Sequence, residues 1–309
     1  MPNPLRFALL TASRNRAVRK VVEHAPVSRN VVRRFVAGTA VDDAVRVAAE
    51  LVAGGLAVSL DHLGEDTTEV GHAESTTKAY VTLLRRLAEG DLTPAAEVSV
   101  KLSAVGQALD ESMALDNARA ICTAAAAANT TVTLDMEDHT TTDSTLSVLR
   151  ELRRDFPWVG AVLQAYLRRT EADCRDLATE GSRVRLCKGA YREPESVAFQ
   201  SRSDVDKSYI RCLKALLRGP GYPMIATHDP RLVDIASTLV KRAGRAKGSY
   251  EFQMLYGIRP NEQHRLAADG ETMRVYVPYG DEWYGYLMRR LAERPANVTF
   301  FLRSLATKG

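Results

Sequence analysis

The chain has 309 residues, of which 45% are hydrophobic and 26% are charged. This balance is typical of a soluble globular protein, and the length suits one large α/β barrel or two ordinary domains. The net charge of +4 comes from lysines and arginines that are dispersed along the chain. A nucleic-acid-binding protein, which needs a concentrated basic face, is therefore not expected.

The start of the chain does not have the pattern of a secretory signal or a membrane span. It contains a four-residue apolar run, Phe7 to Leu10, with Arg14 and Arg16 soon after. A membrane span needs about 18 apolar residues, so we expect a cytoplasmic protein. The four cysteines lack CxxC spacing, which argues against a disulfide framework or a zinc site. They are Cys122, Cys174, Cys187 and Cys212.

Residues 1–50 have helical patterns. Residues 28–38 are rich in valine and arginine, and a second amphipathic pattern starts at Asp42. Since no linker rich in Pro, Gly or Ser follows, we predict a single domain in which residues 1–50 form an N-terminal helical arm and residues 51–309 form the main body.

Eight short runs rich in Val, Ile, Leu and Tyr follow, and helical patterns separate them. The runs span residues 55–64, 96–106, 130–139, 159–167, 182–191, 222–230, 250–257 and 273–280. At about 31 residues per unit, this alternation predicts an α/β fold, a (β/α)8 TIM-type barrel. A doubly wound sheet would need a glycine-rich phosphate fingerprint in its first turn. The corresponding residues 60–66 contain a single glycine.

Polar residues stand at or near the predicted strand ends, where such barrels bind their ligands. Buried polar groups must be paired, so this pattern indicates a ligand-binding barrel mouth. The residues are Asp61, Lys101, Asp135, Glu137, Asp138, Gln164, Arg185, Lys188, Thr227, His228, Glu251, Gln253 and Tyr276. His228 is predicted to be the one histidine directly at a strand end, and such a histidine is as often structural as functional.

Two of these residues could have a structural role instead of binding a ligand. Lys101 could pair with Asp135 on the next strand as an ion pair of the barrel core. Asp135 could cap a helix or bind a metal ion. A metal site is not expected, because His139 lies past the strand and the chain has neither HxH nor HExxH spacing.

The turn after the fifth run favours a phosphate group. Arg185 and Lys188 lie beside Gly189 and Ala190, and small residues let backbone N–H groups approach phosphate oxygens. An ordinary turn with solvated charges is the alternative.

The last helical pattern favours a small carboxylate. Arg289 and Arg290 are adjacent, and Glu293 and Tyr286 lie three or four residues away, which brings all four to one side of a helix. Guanidinium groups bind carboxylates in a bidentate manner. The alternative is a solvated helix face with ordinary ion pairs, the commoner case for any single arginine pair.

Seven motifs, in this order, resemble the proline dehydrogenase family over residues 55–305. They are VSVKLSA, LDMEDH, LQAYLRR, RLCKGAY, ATHDP, EFQMLYG and YLMRRLAERPAN. The resemblance implies FAD at the mouth of a distorted barrel. It also implies oxidation of L-proline to 1-pyrroline-5-carboxylate by hydride transfer from the ring carbon next to nitrogen to the flavin. The electrons would pass to a quinone, in the first step of proline catabolism to glutamate.

The resemblance also implies roles for individual residues. Asp135 and Arg185 match the residues at the reacting centre. The residues that match the substrate site are Lys101, Tyr191, Leu255, Tyr276, Tyr286, Arg289 and Arg290. Those that match the FAD site are Met136, Gln164, Arg185, Lys188, Gly189, Ala190, Thr227, His228 and Glu293. Arg192 stands where many family members have Trp, which puts the position of the adenine end of FAD in doubt.

The family likeness further implies a membrane quinone as electron acceptor, with peripheral contact on the inner face of the membrane. No aldehyde dehydrogenase domain follows the barrel, so the product is expected to reach a separate pyrroline-5-carboxylate dehydrogenase. Two other functions stay open from the residues alone. One is an aldolase or another barrel enzyme with a phosphate site, and the other is a catalytically silent barrel used for binding or regulation.

Overall fold

The structure is a computed structural model that describes residues 32–293. Its strands close into one parallel barrel in the order β1 to β8. The strands are β1 Ala57–His62, β2 Ala96–Val100, β3 Val132–Leu134, β4 Gly160–Gln164, β5 Arg183–Cys187, β6 Tyr222–Ala226, β7 Glu251–Leu255 and β8 Met273–Tyr279. Each predicted run contains one of these strands, so the TIM-type barrel is confirmed.

Between residues 41 and 293, one α-helix precedes β1 and one follows each strand. They are α1 Val41–Ala53, α2 Val70–Glu89, α3 Glu111–Ala127, α4 Thr142–Asp155, α5 Thr170–Leu177, α6 Arg202–Arg218, α7 Pro230–Arg242, α8 Pro260–Ala268 and α9 Trp283–Glu293. A short 3-10 helix, Leu102–Val105, begins directly after Lys101.

Alternation along the strands separates two environments. Residues such as Val98, Leu134 and Phe252 are buried in the apolar layer between the sheet and the helices. The polar residues between them face the inside of the barrel, because Arg185 on β5 reaches across it to donate to Ser59 on β1. Hydrogen-bonded polar groups therefore fill much of the interior of this barrel, whereas branched apolar residues fill most barrels of this class.

A group of charges closes the amino-terminal end of the barrel. Glu97 is fully buried and accepts from Arg183 at 2.6 Å. Arg274 donates to Glu251 at 2.8 Å. Glu251 was predicted near the mouth, but it is the first residue of β7 and lies at the opposite end. The prediction was wrong for Glu251 because the ligand lies at the carboxyl ends of the strands, and Glu251 stands at the amino end of β7.

The helix predicted from Asp42 forms as α1, and its buried Ala44, Val47 and Ala48 pack against the barrel core. Of the helix predicted over residues 28–38, residues 32–35 form a helical turn and residues 28–31 lie outside the described part. The division into an arm over 1–50 and a barrel over 51–309 stays a prediction. Between residues 32 and 293, no helix has the length and apolar character needed to cross a bilayer.

Candidate functional site

Lys101 and Asp61 form a tight ion pair at the carboxyl ends of β1 and β2. The Lys101 ammonium lies 2.7 Å from each carboxylate oxygen of Asp61 and 3.9 Å from Asp135. Burial alone would lower the pKa of Lys101, but the charges of Asp61 and Asp135 outweigh it and raise that pKa. The predicted pairing with Asp135 is thus secondary, and Asp61 holds the lysine charged and in place.

Asp135 follows β3 and accepts hydrogen bonds at both oxygens. Its Oδ1 accepts from Ser99 at 2.8 Å and from Arg185 at 2.7 Å, and its Oδ2 accepts from the Tyr276 hydroxyl at 2.7 Å. Cationic and neutral donors thus surround this carboxylate. In the described residues, no three His, Cys, Asp or Glu side chains gather as metal ligands.

Arg185 on β5 is buried and held on several sides. Its Nε donates to Gln253 at 2.5 Å, and its terminal nitrogens donate to Asp135, Ser99 and Ser59. Its guanidinium carbon lies 5.3 Å from the centre of the Tyr276 ring. Burial, followed by the negative charge of Asp135, raises the pKa of Tyr276 well above its usual value. This phenol is therefore a fixed donor at neutral pH.

Met136 and Gln164 line the mouth beside this cluster, and both are buried. The Gln164 amide donates to the Glu137 carbonyl at 2.7 Å. The Glu137 side chain in turn accepts from the backbone and hydroxyl of Ser103. Burial raises the pKa of Glu137 despite these bonds. The loops after β2, β3 and β4 are thereby tied to one another at the rim.

The turn after β5 contains a glycine in a left-handed conformation. Gly189 has a φ of 108°, and a Cβ there would lie 2.3 Å from the Tyr166 ring. Because other residues rarely adopt this φ, position 189 requires glycine. Ala190 is exposed and Tyr191 is half-buried. The Lys188 ammonium lies 2.5 Å from Asp206 and 3.2 Å from Asp229.

Thr227 and His228 directly follow β6. His228 Nε2 accepts from the Leu255 backbone at 2.9 Å, and Thr227 Oγ1 accepts from the Asp229 backbone at 3.2 Å. The Asp229 side chain caps α7, whose first residue is Pro230. The prediction that His228 alone stands at a strand end was wrong, since β1 ends at His62.

The last helix brings Tyr286 and Arg290 to the same face. The Arg290 guanidinium carbon lies 5.2 Å from the centre of the Tyr286 ring. Tyr286 packs in a small apolar cluster against which Leu255 also packs. The side chains of Arg289 and Glu293 lie outside the part of the chain that is described, although both residues belong to α9.

The structure thus gathers Lys101, Asp135, Arg185 and Tyr276 into one cluster. Asp61, which was predicted at the mouth, binds Lys101, whereas Ser59 and Ser99, which were not predicted, bind Arg185. The signal for them is the alternation of polar and apolar residues in β1 and β2, where every second residue is Ser, Asp or Glu.

Comparison with known proteins gives a family match over most of the chain. The model of the family described as Proline dehydrogenase matches residues 44–303. Proline dehydrogenase 1 of Bacillus subtilis is 38% identical over 98% of this chain and 100% of its own length. A proline dehydrogenase of Deinococcus radiodurans is 40% identical over 89% of this chain and 90% of its own.

Longer proteins match as well. The bifunctional protein PutA of Escherichia coli is 27% identical over 93% of this chain, which covers 25% of PutA. The crystal structure of PutA from Bdellovibrio bacteriovorus inactivated by N-propargylglycine superposes with a TM-score of 0.81 at 24% identity, covering 94% of this chain and 36% of that one. At this identity the superposition supports the barrel fold.

Proposed function

Because the chain belongs to the proline dehydrogenase family, we propose that it oxidises L-proline to 1-pyrroline-5-carboxylate with FAD as its cofactor, which would begin the catabolism of proline to glutamate. The observation that carries this proposal is the cluster of Lys101, Asp135, Arg185 and Tyr276 at the barrel mouth. Opposite charges in a buried cluster that opens at one end suit a small zwitterion with a flat cofactor beside it.

Residues on one side of the mouth suit the pyrophosphate of FAD. Gly189, which has a positive φ, and the exposed Ala190 lie beside Lys188, whose side chain is 28% exposed and pairs with Asp206 and Asp229. Small residues next to a cation suit a phosphate group. Bound FAD would supply the redox chemistry by accepting a hydride from the ring carbon next to the proline nitrogen. The residues assigned to FAD are Met136, Gln164, Arg185, Lys188, Gly189, Ala190, Thr227, His228 and Glu293.

We assign the substrate carboxylate to Arg289, Arg290 and Lys101, because cationic donors bind carboxylates most strongly where water is partly excluded. Asp61 prepares Lys101 for this contact by keeping its ammonium charged and in one position. Four side chains with apolar bodies would form the walls of the ring pocket. They are Tyr191, Leu255, Tyr276 and Tyr286.

The protein's part in the reaction is placement and electrostatics. Proline must react as the free amine, because the nitrogen lone pair stabilises the carbon that loses hydride. Asp135 already accepts from Ser99, Arg185 and Tyr276. We therefore assign it to holding Arg185 and Tyr276 at the reacting centre, and not to removing a proton.

We further propose that the electrons pass to a membrane quinone while the protein contacts the inner face of the membrane peripherally from the cytoplasm. The mildly basic net charge of +4 is compatible with contact with anionic lipid. Functional coupling to a pyrroline-5-carboxylate dehydrogenase is part of the same proposal, and the similarity to one quarter of a relative named a bifunctional protein supports it.

Two chemical identifications test the proposal. The cofactor of the purified protein is released by denaturation and its mass is measured. The protein is then incubated with proline and a soluble quinone, and the pyrroline is trapped with o-aminobenzaldehyde. We expect FAD, and product in proportion to quinone reduced. A colourless protein that does not take up added FAD, or an FAD-loaded protein that forms no pyrroline, would contradict the proposal.

A further inference from the structure

Gln253 on β7 joins two groups of opposite hydrogen-bonding type inside the barrel. Its Nε2 donates to Glu251 Oε1, and its Oε1 accepts from Arg185 Nε at 2.5 Å. A carboxylate can only accept and a guanidinium can only donate, so the amide can satisfy both neighbours in one orientation. Gln253 and Glu251 are both buried, at 3% and 0% exposure, so bulk water does not compete for these bonds.

Glu251 is itself anchored at the closed end of the barrel. Its Oε1 also accepts from Arg274 Nε at 2.8 Å, and its Oε2 accepts from the Tyr222 hydroxyl at 3.1 Å. Arg274 donates in addition to the Val58 carbonyl at 2.8 Å. The series Arg274, Glu251, Gln253 and Arg185, which we call the barrel relay, thus runs from the closed end to the mouth.

The mouth end of the barrel relay is the reacting centre assigned above. Arg185 donates to Asp135, whose other oxygen accepts from Tyr276. Ser59 and Ser99 bind the terminal nitrogens of Arg185, while Gln253 binds Nε. A guanidinium held at Nε and at its terminal nitrogens cannot rotate about its own axis.

We propose that Gln253 is a positioning residue that fixes the orientation of the Arg185 guanidinium for hydride transfer. This inference rests on the proposed function, since it assigns a role within the same reaction. Leucine at this position would leave Arg185 Nε without its acceptor. Glutamate would place a second carboxyl group against Glu251 in a site that excludes water, between Arg185 and Arg274. Burial and the like charge of Glu251 would favour the protonated form of the introduced group.

The first test compares Gln253→Leu with Gln107→Leu. Like Gln253, Gln107 donates from its side-chain amide to other side chains, here the hydroxyls of Ser144 and Thr145. These contacts do not involve Arg185. Misplacing a catalytic group by about 1 Å costs up to about a hundredfold in rate. We expect proline-dependent flavin reduction to be about tenfold to hundredfold slower in Gln253→Leu, with KM roughly unchanged, and close to wild type in Gln107→Leu.

The second test uses Gln253→Glu and pH. While the introduced carboxyl group is protonated, it donates to Glu251 and accepts from Arg185, as the glutamine amide does. When it loses its proton it can no longer donate to Glu251, and the barrel relay is interrupted. Wild-type activity should rise with pH as proline loses its proton, whereas Gln253→Glu should show a falling limb at high pH. A role in packing alone would not create that limb.

A third measurement does not need turnover. Burial beside Glu251 should raise the pKa of the introduced carboxyl group in the folded variant above that of free glutamate. The stabilising effect of its proton is then present at low pH and is lost as pH rises through that pKa. The melting temperature of Gln253→Glu relative to wild type should therefore fall with rising pH. If proline reduces wild type but Gln253→Leu matches Gln107→Leu and Gln253→Glu follows wild type at every pH, the inference is overturned. If proline fails to reduce FAD-loaded wild type, the proposed function fails instead.

Discussion

Tyr276 and Asp135 are joined across the barrel mouth by a 2.7 Å hydrogen bond from the phenol to Oδ2, while Arg185 binds the other oxygen of the same carboxylate. Three elements far apart in sequence therefore meet at one carboxyl group. The proposed oxidation of proline depends on this geometry, and each of the three residues can be substituted separately.

Tyr276→Phe should lower kcat/KM for proline. It removes the donor to Asp135 but keeps the ring that packs against Arg185. A hydrogen bond to a charged group is worth about 1.5–3 kcal/mol, so we expect a decrease of at least about tenfold. Tyr250→Phe is the matched control, since the Tyr250 hydroxyl donates to Glu271 away from the mouth. Equal kinetics for the two variants would contradict the assignment of Tyr276.

Asp61→Asn should raise KM for proline. The Lys101 ammonium would lose the charged partner that it contacts at 2.7 Å and would shift toward Asp135, now 3.9 Å away. We expect KM to rise about tenfold, the effect of losing one well-placed charged contact. Steady-state kinetics against Asp155→Asn, an exposed partner of Arg119, measures this. An unchanged KM would contradict the role of Asp61 in holding Lys101 for the substrate.

Arg289→Ala and Arg290→Ala should each weaken proline binding by a few kcal/mol if the two arginines hold its carboxylate. Arg265→Ala is a suitable control, because Arg265 pairs with Glu262 and Asp269 on the surface of α8. Proline affinity is measured by titrating anaerobic flavin reduction. Wild-type affinity in both variants would rule out the carboxylate clamp.

Gly189→Ala should reduce FAD occupancy. The new Cβ would lie 2.3 Å from the Tyr166 ring at a φ of 108°, so the phosphate-binding turn must move. Gly244→Ala also has a positive φ, 65°, but its Cβ would meet nothing within 4 Å. The ratio of flavin to protein after purification, and the Kd for added FAD, should change in the first variant alone. Wild-type FAD affinity in Gly189→Ala would remove this turn from the cofactor site.

Glu97 should make stability depend on acid pH. Burial opposes its charge, but Arg274, Arg183 and Arg185 outweigh burial and lower its pKa from 4.5 to about 2. A carboxyl group whose pKa is lower in the folded protein than in the unfolded chain stabilises the fold at pH values above its unfolded pKa. This stabilisation is lost as pH falls from 4.5 toward about 2. Melting temperatures across that range should drop more steeply in wild type than in Glu97→Gln. Parallel curves would contradict the shifted pKa.

The barrel could be predicted because its signals are local. The strands lie in short runs rich in Val, Ile, Leu and Tyr, and helical patterns such as residues 75–90 lie between the runs. Arg185, Asp135 and Tyr276 could likewise be named from strand ends and motifs, and the structure brings them into contact.

The pairings could not be predicted, because they depend on which strands face each other across a closed sheet. Lys101 binds Asp61, 40 positions away, more tightly than Asp135, the partner expected from the next strand. Glu251 and Gln253 are two positions apart and share a face of β7, yet Glu251 serves the closed end and Gln253 the mouth. Both residues fit the same alternation of polar and apolar positions, so periodicity does not tell which end of the barrel each one faces.

The most direct measurement is anaerobic mixing of the FAD-loaded protein with L-proline while the visible absorption of the flavin is recorded. We predict that proline bleaches the oxidised flavin, and that bleaching speeds up as pH rises and more proline carries a free amine. An FAD-loaded protein whose absorption proline leaves unchanged at every pH would contradict the account.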